Sequence, residues 1–259
     1  MQRDGAFSLI PPNPGEGRIG PSALLVSTQD LRMSVLIKIC GLKTPEALDA
    51  ALDAGADLVG FVFFAPSPRH VALAAARALG ERVKGRAQKV ALSVDAPDDE
   101  VAASIDALNP DLLQLHGSET PERVAAVRAR FGLPVMKALP IAERGDVAAI
   151  RRYEAVVDRL IFDARADVAA TRPGGLGRRF DWRLLDNVQT RVPFMLSGGL
   201  DAENVAQALR ITAAPGVDVS SGVERAPGEK DVDKIRAFIA AARAAVEKLS
   251  APEKAVSRA

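Results

Sequence analysis

The chain has 259 residues, enough for one large domain or two small ones. Hydrophobic residues make up 48% and charged residues 26%, the balance of a soluble globular protein, while aromatics are only 4%, so the core must be aliphatic. A formal net charge of +1 gives no electrostatic case for nucleic acid or an anionic membrane as partner. Cys40 is the single cysteine, which excludes an internal disulfide. No apolar run approaches the roughly 18–20 residues needed to span a bilayer. The N-terminus lacks a charged region followed by an apolar stretch, so no secretory signal is visible and the expected location is cytoplasmic.

Residues 1–33 read differently from the rest. The segment Ser8–Gly17 is rich in Pro and Gly and has no period, so a disordered extension is expected, or residues upstream of a true start at Met33. Over residues 34–248, short β-branched or apolar runs alternate with amphipathic, Ala-rich stretches. The runs are Val35–Cys40, Asp57–Phe63, Lys89–Val94, Leu112–His116, Val135–Leu139, Leu160–Asp163, Phe194–Ser197 and Val217–Ser220. The intervening segments carry helix signals: Thr44-Pro45-Glu46 and Thr120-Pro121-Glu122 each offer an N-cap, a proline at the first helical position and an acid in the first turn, and Asp201 is a further cap candidate. Residues 249–259 read as a flexible tail.

Strict strand–helix alternation implies parallel strands reached by crossover helices. Eight such strands in about 210 residues fit a single closed (β/α)8 TIM barrel of the α/β class. An open α/β sheet with extra strands is the alternative. In the barrel, chemistry belongs at the C-terminal ends of the strands.

At the seventh and eighth strand ends, Ser197-Gly198-Gly199-Leu200-Asp201 and Ser220-Ser221-Gly222-Val223-Glu224 are candidate phosphate loops. Glycines let backbone N–H groups approach an anion, and a helix N-terminus adds a favourable dipole. Two ordinary tight turns are the structural alternative. Cys40 closes the first strand and should point to the barrel axis, with Lys38 one inward step below. A thiol there is either a buried small hydrophobe or a candidate base or nucleophile, since its ordinary pKa of about 8.5 lies close to neutral pH. Asp163, at the end of strand six, is costly to bury unless paired or used, which makes it a candidate general acid, a helix cap or a salt-bridge partner. Arg69 lies in the proline-stiffened loop Phe64–His70, where its guanidinium is a candidate bidentate grip on a carboxylate. His116 ends strand four and is either a substrate contact or a structural histidine. His70 and His116 are the only histidines, so a His-rich metal site is not expected. The Gly-rich loop Pro173–Gly177 is a candidate lid.

Together these segments resemble the phosphoribosylanthranilate isomerase family. The pieces that carry the resemblance are Lys38-Ile-Cys-Gly41, Gly60-Phe-Val-Phe with Ser67-Pro-Arg-His70, Gln114-Leu-His-Gly117, Phe162-Asp163, Gly174-Gly-Leu-Gly177 with Phe180-Asp-Trp182, Leu196-Ser-Gly-Gly-Leu200 and Asp218-Val-Ser-Ser-Gly-Val-Glu224. They occur in family order over residues 35 to about 245. The N-terminal extension and Leu176, where the family loop often has a small polar residue, depart from the pattern.

The resemblance implies an Amadori rearrangement in tryptophan biosynthesis. N-(5-phosphoribosyl)anthranilate becomes 1-(2-carboxyphenylamino)-1-deoxyribulose 5-phosphate, with Asp163 as acid and Cys40 as base. No cofactor and no metal are implied, because the substrate's own iminium is the electron sink. Further expected roles are Arg69 and His116 on the substrate and Gly198, Gly199, Ser220, Ser221 and Gly222 on its phosphate. Asp218 is expected on the sugar hydroxyls or as a buried structural carboxylate, and Lys38 as a support of the barrel centre. The family includes monomers and homodimers. The rival readings are another phosphate-binding barrel enzyme, an aldolase or a sugar-phosphate epimerase, and a non-catalytic ligand-binding barrel. A Schiff-base aldolase would want a lysine where Asp163 stands.

Overall fold

The computed structural model describes residues 35–166, 173–175, 177, 179–186 and 188–250. The expected extension over residues 1–33, residues 251–259 of the expected tail, and Leu176 lie outside them.

Eight parallel strands close into one barrel in chain order. They are β1 (Leu36–Cys40), β2 (Leu58–Phe63), β3 (Gln88–Ser93), β4 (Leu112–Leu115), β5 (Val135–Ile141), β6 (Arg159–Ala164), β7 (Phe194–Leu196) and β8 (Gly216–Val219). Each lies within two residues of its predicted run. Helices α1 (Pro45–Asp53), α2 (Leu73–Val83), α3 (Asp98–Leu108), α4 (Pro121–Phe131) and α5 (Arg144–Tyr153) follow the first five strands. Helices α6 (Val205–Thr212) and α7 (Val232–Ser250) follow the last two. The sixth crossover departs from strict alternation: among the described residues it holds one 3₁₀ turn, Trp182–Leu185. A small antiparallel pair, β9 (Glu224–Ala226) and β10 (Glu229–Lys230), interrupts the path from β8 to α7 and was not expected.

The caps show why the helices start where they do. Thr44 and Thr120 accept from the N–H groups of Ala47 and Arg123, and each precedes a proline whose missing N–H would be unpaired anyway. Asp201 is corrected: α6 has Asn204 at its cap position, and Asp201 accepts from the N–H groups of Glu203 and Asn204 in the turn leading in.

Period-two alternation divides each strand between two cores. Ile37 and Ile39 of β1 face the helix layer, with Phe61, Leu113, Leu139, Leu160, Phe162 and Val217. Truncating a fully buried aromatic there, such as Phe61, costs about 3–5 kcal/mol. The axis-facing set is apolar at the bottom, with Leu58, Val90, Leu112, Met136, Ile161 and Met195. Toward the C-terminal ends the interior becomes polar, with buried Lys38, Gln114, Asp163 and Asp218. Buried polar groups need partners, and the way these four are paired defines the site.

Candidate active site

Barrel closure sets the first pair. Lys38 of β1 lies opposite Asp218 of β8, so both side chains meet on the axis, with Lys38 Nζ 2.8 Å from Asp218 Oδ1. Ser197 donates to Asp218 Oδ2 at 3.1 Å. Asp218 is thus a structural carboxylate whose edge also lines the cavity. Burial opposes the charge on Lys38, but Asp218 and Cys40 outweigh it and raise its pKa. Cys40 lies opposite Gly60 of β2. A Cβ at Gly60 would stand 3.0 Å from Cys40 Sγ and 3.1 Å from Lys38 Nζ, so the missing side chain makes room for both. Burial pushes the Cys40 thiol above its ordinary value, and the Lys38 charge works against that rise.

Across the mouth, Asp163 of β6 accepts from the Ala164 N–H through Oδ1 at 2.9 Å. Its Oδ2 lies 3.1 Å from His116 Nε2. His116 therefore touches the carboxyl group as well as the cavity.

Arg69 is buried, and its bidentate edge is already engaged. Nε and one terminal nitrogen donate to Oε1 and Oε2 of Glu224, both at 2.8 Å, and the same terminal nitrogen donates to the Gly175 carbonyl at 3.0 Å. The expected two-point grip on a ligand carboxylate is thus occupied by Glu224, and the second terminal nitrogen has no hydrogen-bond partner among the described residues. Lys230 of β10 completes this buried cluster, donating to Glu224 Oε1 at 2.9 Å and to the Ser220 carbonyl at 2.8 Å. Burial pushes Lys230 down to about 8 against the pull of Glu224. Burial also works against ionised Glu224, yet hydrogen bonds from Arg69 and Lys230 hold its pKa low.

Above these groups lies a cavity of about 770 Å³, its open mouth included. One wall is apolar: Cys40, Val62, Phe64, Leu92 and Val94. A second stretch of the lining is Gly198, Gly199, Ser220 and Ser221. Gly198 has φ +88°, and a Cβ there would stand 2.6 Å from the Ala164 nitrogen, so the chain turns tightly against β6. Gly222 is a correction. It does not line the cavity, because it is pressed against the Leu200 carbonyl, which a Cβ would meet at 1.8 Å. It locks the two glycine loops together. Every other predicted site residue lines this one cavity.

The family model for N-(5'-phosphoribosyl)anthranilate isomerase matches residues 37–241, which takes in all eight strands but for Leu36 at the start of β1, and every predicted site residue. The chain belongs to the phosphoribosylanthranilate isomerase family. Its members isomerise N-(5'-phosphoribosyl)anthranilate in tryptophan biosynthesis, and so does this enzyme. It is 63% identical over 215 residues to N-(5'-phosphoribosyl)anthranilate isomerase of Bradyrhizobium sp. strain ORS 278, covering 83% of this chain and 98% of that protein. It is 59% identical over 213 residues to the Rhodopseudomonas palustris CGA009 isomerase, covering 82% and 100%. The crystal structure of the Thermotoga maritima isomerase superposes with a TM-score of 0.74 at 32% identity, covering 82% of this chain and all of that one. Another solved member of the family holds reduced 1-(o-carboxyphenylamino)-1-deoxyribulose 5-phosphate, with a TM-score of 0.70 at 30% identity and the same coverage.

Within this isomerase, three contributors escaped the sequence reading. Lys230 carries no local signal, since its partners lie in another element or across a hairpin turn, and Glu224 was visible only as the last residue of the Ser-Ser-Gly-Val-Glu segment. Gln114 was visible only as part of the Gln-Leu-His-Gly segment. No helix among the described residues is long and apolar enough to cross a membrane.

Proposed function

We propose that Asp163 and Cys40 are the acid and base of the isomerisation, acting from opposite walls of the cavity. Asp163 protonates the furanose ring oxygen, the C1–O bond opens, and the nitrogen lone pair forms an iminium at C1. The Cys40 thiolate then removes the proton from C2. The electrons of that C–H bond form the C1–C2 double bond, and those of the iminium return to nitrogen. The resulting enolamine tautomerises to the ketose, 1-(2-carboxyphenylamino)-1-deoxyribulose 5-phosphate. A thiol whose pKa is raised by burial is a stronger base once ionised. Lys38 favours that ionised form with its charge.

The observation that carries this reading is the shared cavity, with Cys40 and Asp163 between a glycine-lined end and an apolar end. The substrate phosphate sits against Gly198, Gly199, Ser220 and Ser221, where backbone groups can reach an anion. The anthranilate ring lies on Val62, Phe64, Leu92 and Val94. Its carboxylate meets the free terminal nitrogen of Arg69, which Glu224 holds in place. His116 acts on the substrate through Asp163.

A crystal structure with reduced 1-(o-carboxyphenylamino)-1-deoxyribulose 5-phosphate tests the placement. The reading expects the phosphate on the two glycine loops and C2 beside Cys40 Sγ. A ligand bound with its phosphate at the Arg69 end overturns it.

A further inference from the structure

Gln114 is the polar interior residue with no role so far. It is fully buried on the axis-facing side of β4. Its Nε2 lies 3.0 Å from His116 Nδ1, its only hydrogen-bond partner among the described residues, and its Oε1 has none. An unpaired buried acceptor costs about 1–3 kcal/mol, so an apolar side chain here would favour the barrel.

We propose that Gln114 is a positioning residue that fixes the tautomer of His116 and thereby directs the acid proton of Asp163 toward the substrate. This rests on the reading of Asp163 as the acid. With the amide oriented as it stands, its nitrogen donates to Nδ1, so Nδ1 accepts and the ring proton sits on Nε2. Nε2 then donates to Asp163 Oδ2, whether Asp163 is ionised or protonated. With that oxygen occupied as an acceptor, the acid proton has no lone pair on His116 to bind and stays on the side facing the cavity. In the other tautomer, Nε2 would present a lone pair and draw the proton of Asp163 away from the ring oxygen. The contact is also covered from above: a Cβ at Gly174 would stand 2.6 Å from Asp163 Oδ2 and 2.8 Å from His116 Nε2, so backbone lies over it.

The test uses the full chain labelled with ¹⁵N at histidine. There are only two histidines, and replacing exposed His70 (H70Q) assigns the signals. Wild-type protein is expected to carry the His116 proton on Nε2. Gln114→Glu in its ionised form offers Nδ1 an acceptor only, so the proton moves to Nδ1 and kcat falls about 10²-fold, the low end of what general acid catalysis supplies. KM changes little, a split that mere loosening of the core would not produce. Gln114→Met, with neither donor nor strong acceptor, loses less. A wild-type ring protonated on Nδ1 overturns the proposal, even if both variants fail to fold. A folded Gln114→Glu protein with wild-type kcat also overturns it. Failure of the acid reading shows elsewhere, as an Asp163→Asn variant that keeps its rate.

Discussion

Gly60→Ala is a sharp test of how the base is positioned. Gly60 faces Cys40 across the β1–β2 ladder, and its backbone does not need glycine's special conformations. The effect of an added methyl is therefore steric. The new Cβ would meet Cys40 Sγ at 3.0 Å, Lys38 Nζ at 3.1 Å and Cys40 Cα at 3.2 Å. Comfortable separations are about 3.5–4.0 Å, so the thiol must retreat by roughly half an ångström. Overpacking of this kind costs about 1–3 kcal/mol, which lowers Tm by roughly 2–12 °C in a barrel of this size. A misplacement of about 1 Å at a reacting group costs about 10²-fold in rate, so half of that predicts about tenfold. Steady-state kinetics with fresh substrate should show kcat down about tenfold and KM nearly unchanged. Gly145→Ala on α5 is the control, because a Cβ there meets nothing within 4 Å. Wild-type kcat in folded Gly60→Ala protein would refute the argument that the Cys40 position matters to this precision.

Other predictions follow from the buried charges and the glycine loops. The Cys40 thiol should ionise above the ordinary value of about 8.5. Asp218→Asn should lower its midpoint by removing a neighbouring negative charge; thiolate absorbance in the ultraviolet reads both, and an unchanged midpoint in the variant counts against this network. Lys230 titrates at about 8 when folded and at about 10.4 when unfolded, so across that window the unfolded chain binds the extra proton. Its contribution to stability therefore rises from pH 8 to 10. Denaturant titrations should find that rise flattened in Lys230→Met, and parallel curves would contradict it. Glu224→Gln removes a charge from between Arg69 and Lys230 and should cost about 3–5 kcal/mol, the loss seen when a buried pair is broken from one side; a loss under 1 kcal/mol in denaturant melts contradicts the pairing. Gly222→Ala forces apart the two glycine loops and should raise KM, or weaken binding of the reduced product analogue in calorimetry, far more than it lowers kcat.

The fold was legible because its signals are local. Each strand is a short apolar run between polar, Ala-rich segments, and the caps at Thr44 and Thr120 are read from three consecutive residues. The sixth crossover was less legible, because its glycine-rich stretch carries no helical period. Asp201 was misplaced by one turn because a carboxylate that caps a turn and one that caps a helix look alike in sequence. Site residues at strand ends could be found once eight strands were counted, since the barrel directs them to one mouth. Their partners could not. Arg69 and Glu224 are 155 residues apart, and Lys38 and Asp218 are 180 apart. Only the closed register of β1 on β8, and the unexpected β9–β10 pair, bring such groups together. The sequence pointed the Arg69 fork at a ligand carboxylate, but the carboxylate it grips belongs to the chain itself.

The central claim is that Cys40 and Asp163 divide the proton transfers between them. The most direct test measures kcat of Cys40→Ala and Asp163→Asn on freshly prepared N-(5'-phosphoribosyl)anthranilate, with reduced product analogue used to verify an intact site. The account predicts a loss of several orders of magnitude in each variant, with analogue binding retained. A near-normal rate in either one would contradict it.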